Sequence, residues 1–122
     1  MSDPLSKFGS FIVKNLRDQA LDDLEMLLRG AWKSPATQDM QRRLGSLTDE
    51  QRQLFREVAD RIITTGMHDF LFALQEASDA NQGFEVQVDG SNIASLSDGL
   101  HGEIFSEEGW IAKHSKFPRS HD

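Results

Sequence analysis

His101 and Glu103, between Ser97-Asp98-Gly99 and Glu107-Glu108, form the densest cluster of chemically capable side chains in the chain. Carboxylates and imidazoles within one glycine-rich loop are the groups that ligate a divalent cation or move a proton, and functional side chains concentrate on such loops. With His114 nearby in sequence, the cluster outlines one reading: a metal-dependent hydrolase using the loop carboxylates and histidines of residues 98–114. The spacing argues against it. His101-x-Glu103 is not the H-E-x-x-H pattern that places two imidazoles on one helix face around a zinc ion.

Two further clusters fail on similar grounds. Asp79-x-Asn81-x-Gly83-x-Glu85 opens like a calcium loop, but its glycine falls one position early, and Gly90 stands where the bidentate glutamate belongs. His68-Asp69 pairs an imidazole with a carboxylate that could orient it, yet no Gly-x-Ser-x-Gly elbow supplies a nucleophile. The simpler expectation there is a helix start, with Thr65 or His68 near the cap and Asp69 in the first turn. There is no cysteine, which excludes disulfides, thiolate metal sites and a thiol nucleophile. Neither the Walker pattern nor G-x-G-x-x-G occurs. No cofactor is expected, and the balance is against an enzyme.

The elements that would position these residues begin with helices. Phe8, Phe11, Ile12, Leu16, Leu21, Leu24, Leu27 and Leu28 recur at spacings of three and four, which predicts a helix closed by a left-handed cap at Gly30. Ser34-Pro35 opens a second helix to about Leu44, ended by Gly45. Thr48-Asp49-Glu50-Gln51 is a capping box. The stripe Leu54, Phe55, Val58, Ala59, Ile62 and Ile63 follows, then Gly66, then Met67–Leu74, which is apolar on most sides and is expected to be the most buried helix of the domain. After Gly83 the period changes to two. Phe84, Val86 and Val88 predict a strand, Asp89-Gly90 a tight turn, and Ile93–Leu96 a returning strand. Trp110-Ile111-Ala112 is expected as a third strand, and residues from about 117 as a frayed tail. The expected fold class is α+β in a single domain of 122 residues: about four N-terminal helices followed by a small antiparallel hairpin or three-stranded sheet. Trp32 and Trp110 are both assigned to the core, with Trp110 the better candidate of the two for an interface.

Charge separates the chain into parts. Residues 1–61 hold equal numbers of basic and acidic side chains. Residues 62–112 hold Asp69, Glu76, Asp79, Glu85, Asp89, Asp98, Glu103, Glu107 and Glu108 and no lysine or arginine, within a net charge of −7. A net negative chain does not neutralise phosphates, so nucleic acid is excluded as the main partner. The N-terminal Met-Ser-Asp-Pro lacks the pattern of a signal peptide, and no apolar run reaches membrane-spanning length, so a cytoplasmic protein without a membrane partner is expected. One-signed charge on one side of a domain steers an oppositely charged partner. The leading expectation is therefore a small acidic protein-binding module for a basic protein. In size and charge alone it resembles immunity proteins and inhibitors that neutralise such partners. The expected contact residues are Asp89, Asp98, His101, Glu103, Glu107, Glu108 and Trp110, with a homodimer contact at Trp110 as a further option.

Overall fold

The computed structural model of the chain describes residues 3–118. Helix α1 (Pro4–Ile12) starts one turn earlier than the apolar spacing suggests, because the Asp3 carboxylate accepts from the Ser6 amide and proline occupies the first turn. A π-helical segment, Val13–Asp18, joins it without a break to α2 (Gln19–Arg29). Gly30, at φ 67°, ends α2 in the left-handed cap. Helix α3 (Pro35–Gly45) follows. Its Gln41 is buried and holds the connecting loop, accepting from the Trp32 amide and donating to the Trp32 carbonyl.

Helix α4 (Asp49–Asp79) is the longest element and opens with the complete Thr48/Gln51 capping box. Gly66 does not break it, since one interior glycine costs only about 1 kcal/mol. For the same reason Thr65, His68 and Asp69 lie mid-helix and start nothing. The N-terminal half of α4 is tied to the helices before it. Arg52 donates to the carbonyls of Leu28 and Gly45, satisfying the exposed ends of α2 and α3, and Arg56 meets both oxygens of Glu25 at 2.8 and 3.1 Å.

Beyond α4 the chain is mostly turns. Strands β1 (Gln87–Val88) and β2 (Ser91–Asn92) pair antiparallel, with Val88 opposite Ser91. Asp89 and Gly90 both take positive φ, as the mirror-image two-residue turn requires. The expected returning strand Ile93–Leu96 is instead a 3₁₀ turn, because the Asn92 side chain accepts from the Ala94 amide and curls the chain. A second 3₁₀ turn covers Leu100–Glu103. The expected third strand is helix α5 (Trp110–His114), which Gly109 precedes as N-cap. The molecule is mostly helical with a two-stranded sheet, α+β in the broad sense, and shows no third strand among the described residues.

The core joins the ends of the chain. Ile12 and Val13, Met67 and Leu71, Ile93, Ala94, Leu100 and Ile104, and Trp110 and Ile111 are buried together, with Leu5, Phe8, Leu74, Val86, Val88 and Phe105 packed around them. Helix α4 turns Met67 and Leu71 inward alongside Asp60, Thr64 and Gln75. Its apolar stretch Met67–Leu74 holds the helix's two most buried side chains, Met67 and Leu71, but it is not buried all round: Phe70 and Phe72 stay exposed, because a helix on the outside of a small domain has only one face to bury.

Candidate functional site

Two polar centres organise the half of the molecule that carries the acidic loop. The first is Gln75, buried on α4. Its amide nitrogen donates to the Ala94 carbonyl at 3.0 Å and its oxygen accepts from the Leu100 amide at 2.9 Å. One side chain therefore closes the open backbone groups of both 3₁₀ turns and pins residues 93–103 against the helix. The second is Arg17, 0% exposed, inside the π-helical segment. Its guanidinium donates to Thr64 Oγ1 at 3.1 Å, and to Asp60 Oδ1, Ser115 Oγ and the Phe117 carbonyl at 2.7 Å each. Asp18 accepts from the Ser115 hydroxyl and the Lys116 amide. Residues 115–117 are therefore clasped rather than frayed at Phe117, while residues 119–122 lie outside the described part. Neither centre was singled out from sequence. The apolar spacing of the helix puts Arg17 and Asp18 among the residues of a solvated face, and the structure buries both instead, because the chain's C-terminal segment packs over them.

On this frame the expected site residues separate. Asp98, Glu107 and Glu108 are exposed, as is Asp89 at the hairpin tip, where Lys7 reaches its carboxylate at 2.7 Å. Lys113 stands 3.9 Å from Glu108. Glu103 is half-buried and accepts from the Ser97 hydroxyl, a bond that shapes the turn. His101 is packed edge-on to Phe72, with ring centroids 4.8 Å apart, and edge-on to His68 at 5.3 Å. Its Nδ1 is buried without a hydrogen-bond partner. Its ring also lies 2.9 Å from where a side chain at Gly99 would begin, so this close approach requires glycine. His101 is thus the side of the turn that faces α4.

Trp110 is 4% exposed and belongs to the core, as assigned to it, packed edge-on to Phe8, so its ring is not exposed for a partner. Trp32, at 37% exposed, is the surface tryptophan, against the expectation that both would be core.

The groups needed for the hydrolase reading do not converge. Among the described residues no three histidine, aspartate or glutamate side chains are grouped to hold a metal ion. His68 Nδ1 meets Asp69 Oδ1 at 3.0 Å, with His68 half-buried against His101 and Phe105 and Asp69 exposed.

His114 makes a testable contribution. Burial first, then the neighbouring Lys14 and Lys113, lowers its pKa, and its Nε2 has no hydrogen-bond partner. The folded state therefore resists protonation more than the unfolded chain does. Stability from this group is complete above the ordinary histidine value of about 6.5 and is lost as pH falls below it. Urea midpoints compared at neutral pH and near pH 5 should drop for the wild type, and His114→Gln should flatten that dependence.

Comparison with protein-family models, curated proteins and solved structures finds no match. No helix among the described residues is long and apolar enough to cross a membrane.

Proposed function

We propose that the chain is a protein-binding module that engages a basic protein through the acidic surface formed by the hairpin tip and the turns of residues 97–108. The observation that carries this reading is the exposure of Asp89, Asp98, Glu107 and Glu108 in a stretch, residues 62–112, that contains no lysine or arginine. Lys7 and Lys113 approach two of these acids, and both are exposed surface pairs that a stronger partner displaces at little cost. The turns at Ala94 and Leu100 are pinned to α4 through Gln75, so Asp98 between them sits on a fixed surface, and binding it need not order that segment. Leu96 and Phe84, both exposed in the same part of the chain, supply apolar contact beside the charges. A module that neutralises a basic partner, in the manner of an immunity protein or inhibitor, fits this combination.

The test is affinity measured against the products of adjacent genes across a salt series. Binding should weaken as salt rises, and charge reversal by D98K/E107K/E108K should lower affinity roughly tenfold or more, chiefly by slowing association. Binding that ignores both salt and charge reversal would overturn the proposal.

A further inference from the structure

Helix α3 packs on α2 without closing against it. The one side chain it buries is Gln41, which holds the Trp32 loop, while Met40 stays 53% exposed and Leu44 half-buried. Between the helices a groove of about 570 Å³ remains, walled by Leu24 and Leu27 of α2, Met40 and Leu44 of α3, Leu47 beyond it and Phe55 of α4. That volume lies within the roughly 300–1,000 Å³ of small-molecule sites, which in helical proteins open between helices.

The polar residues of the groove are gathered at one end of α3. They are Arg43 and Ser46, and the Ser46 hydroxyl already donates to the Arg43 carbonyl. The Arg43 side chain is 78% exposed and meets Asp39 Oδ2 only at 3.9 Å, while Arg42 holds the other oxygen of that carboxylate. Residues 29–47 carry Arg29, Lys33, Arg42 and Arg43 against Asp39 alone, so a chain of net charge −7 is locally positive here. Arg52 adds a cation whose donors go to the carbonyls of Leu28, Gly45 and Leu47.

We propose that this groove binds a free amphipathic carboxylate, a medium-chain fatty acid, with its tail among the leucines of α2 and α3 and its head on Arg43. The walls select the tail. They offer no hydrogen-bonding side chain except at one end, so they suit a ligand that is apolar along its length and charged at its tip. Met40, unbranched and adaptable, lets the groove close on a flexible chain. The sign of the charge selects the head. A local excess of cations favours an anion, and a carboxylate presents two acceptors to the guanidinium fork that Asp39 leaves largely free.

The proposal uses none of the acidic surface, so it stands or falls apart from the partner reading. Titration calorimetry of the full chain with decanoate, below its micelle concentration, should show one saturable site. Amide shifts in proton–nitrogen correlation spectra should gather at Leu24, Leu27, Leu44 and Leu47. Arg43→Gln should weaken binding roughly tenfold, and decanol, with the same tail and no charge, should bind the wild type more weakly by a similar factor. Met40→Glu, at an exposed position, should abolish binding and leave the far-UV circular dichroism unchanged. Arg61→Gln, an exposed arginine outside the groove, should bind decanoate as the wild type does. Absence of saturable binding would overturn the proposal, as would decanol binding as tightly as decanoate, an unaffected Arg43→Gln variant, or shifts that gather elsewhere. Association only with vesicles of anionic lipid would overturn the choice of a free acid. A dimer that protects the same amides without ligand would assign the groove to a second copy and overturn it equally.

Discussion

Arg17→Ala is expected to cost the fold about 3–5 kcal/mol, the range for removing one partner of a buried ion pair. Against the 5–15 kcal/mol that holds a domain of this kind together, that is enough to leave a substantial unfolded population. The size of the effect comes from what remains. Asp60 and Asp18 stay in a buried setting without the guanidinium, and the Thr64 and Ser115 hydroxyls lose the donor that fixes them. Arg17→Lys should recover little of the loss, because one ammonium on a flexible stem cannot reach three directions as a planar fork does. Arg17→Met tests charge against shape. With Asp60→Leu added in the same chain, the loss should be smaller than for Arg17→Ala alone, since the pair is then replaced rather than broken. Urea unfolding measures the stability. Limited proteolysis after Lys116 measures release of the clasped segment, which should accelerate in every variant that lacks the guanidinium.

Trp110→Ala should cost about 3–5 kcal/mol by removing a large buried side chain, while Trp32→Ala should change stability by less than about 1 kcal/mol. The contrast follows from burial alone, 4% against 37% exposure. Beneath the Trp110 ring lies Gly9. A β-carbon at that position would stand 2.4 Å from the indole, so Gly9→Ala forces the ring to move and should itself destabilise by about 1–3 kcal/mol. The two changes are coupled. In the Trp110→Ala background, Gly9→Ala has no indole to meet and its cost should largely disappear, so the double variant should be more stable than the sum of the singles predicts. Additive losses would mean that Gly9 is required for its backbone freedom rather than for the approach of the ring.

The features legible in the sequence were those decided within a few residues. Gly30 ends α2, Pro35 starts α3, Thr48 and Gln51 cap α4, and Asp89-Gly90 makes the hairpin turn, because each depends on local φ/ψ and on a hydrogen bond reaching at most four residues. Which side of α4 faces inward was not local. The stripe Leu54, Val58 and Ile62 has a correct helical period, but the periodicity does not say what lies opposite. The buried side is fixed by Arg17, which draws Asp60 and Thr64 in, and by Gln75, which draws in two turns. Trp110-Ile111-Ala112 was ambiguous for another reason. Three apolar residues satisfy either period, and here the Gly109 carbonyl accepts from the Lys113 amide to close a helical turn. Of the candidate site, the acidic run was visible at once, whereas the inward packing of His101 and Trp110 depends on contacts with residues 68, 72, 8 and 9.

The bonds that Arg17 makes span 43, 47, 98 and 100 residues of chain. During synthesis, then, the arginine and Asp60 emerge long before Ser115 and Phe117 exist. A nascent chain can assemble α1 to α4 and close the first part of the network, but the last two acceptors arrive only when residue 117 has left the ribosome. Until then one edge of the guanidinium faces water, and Ile12 and Val13 lack the cover of Trp110 and Ile111. Completion of this fold therefore comes late, limited by bringing together segments that lie far apart in sequence.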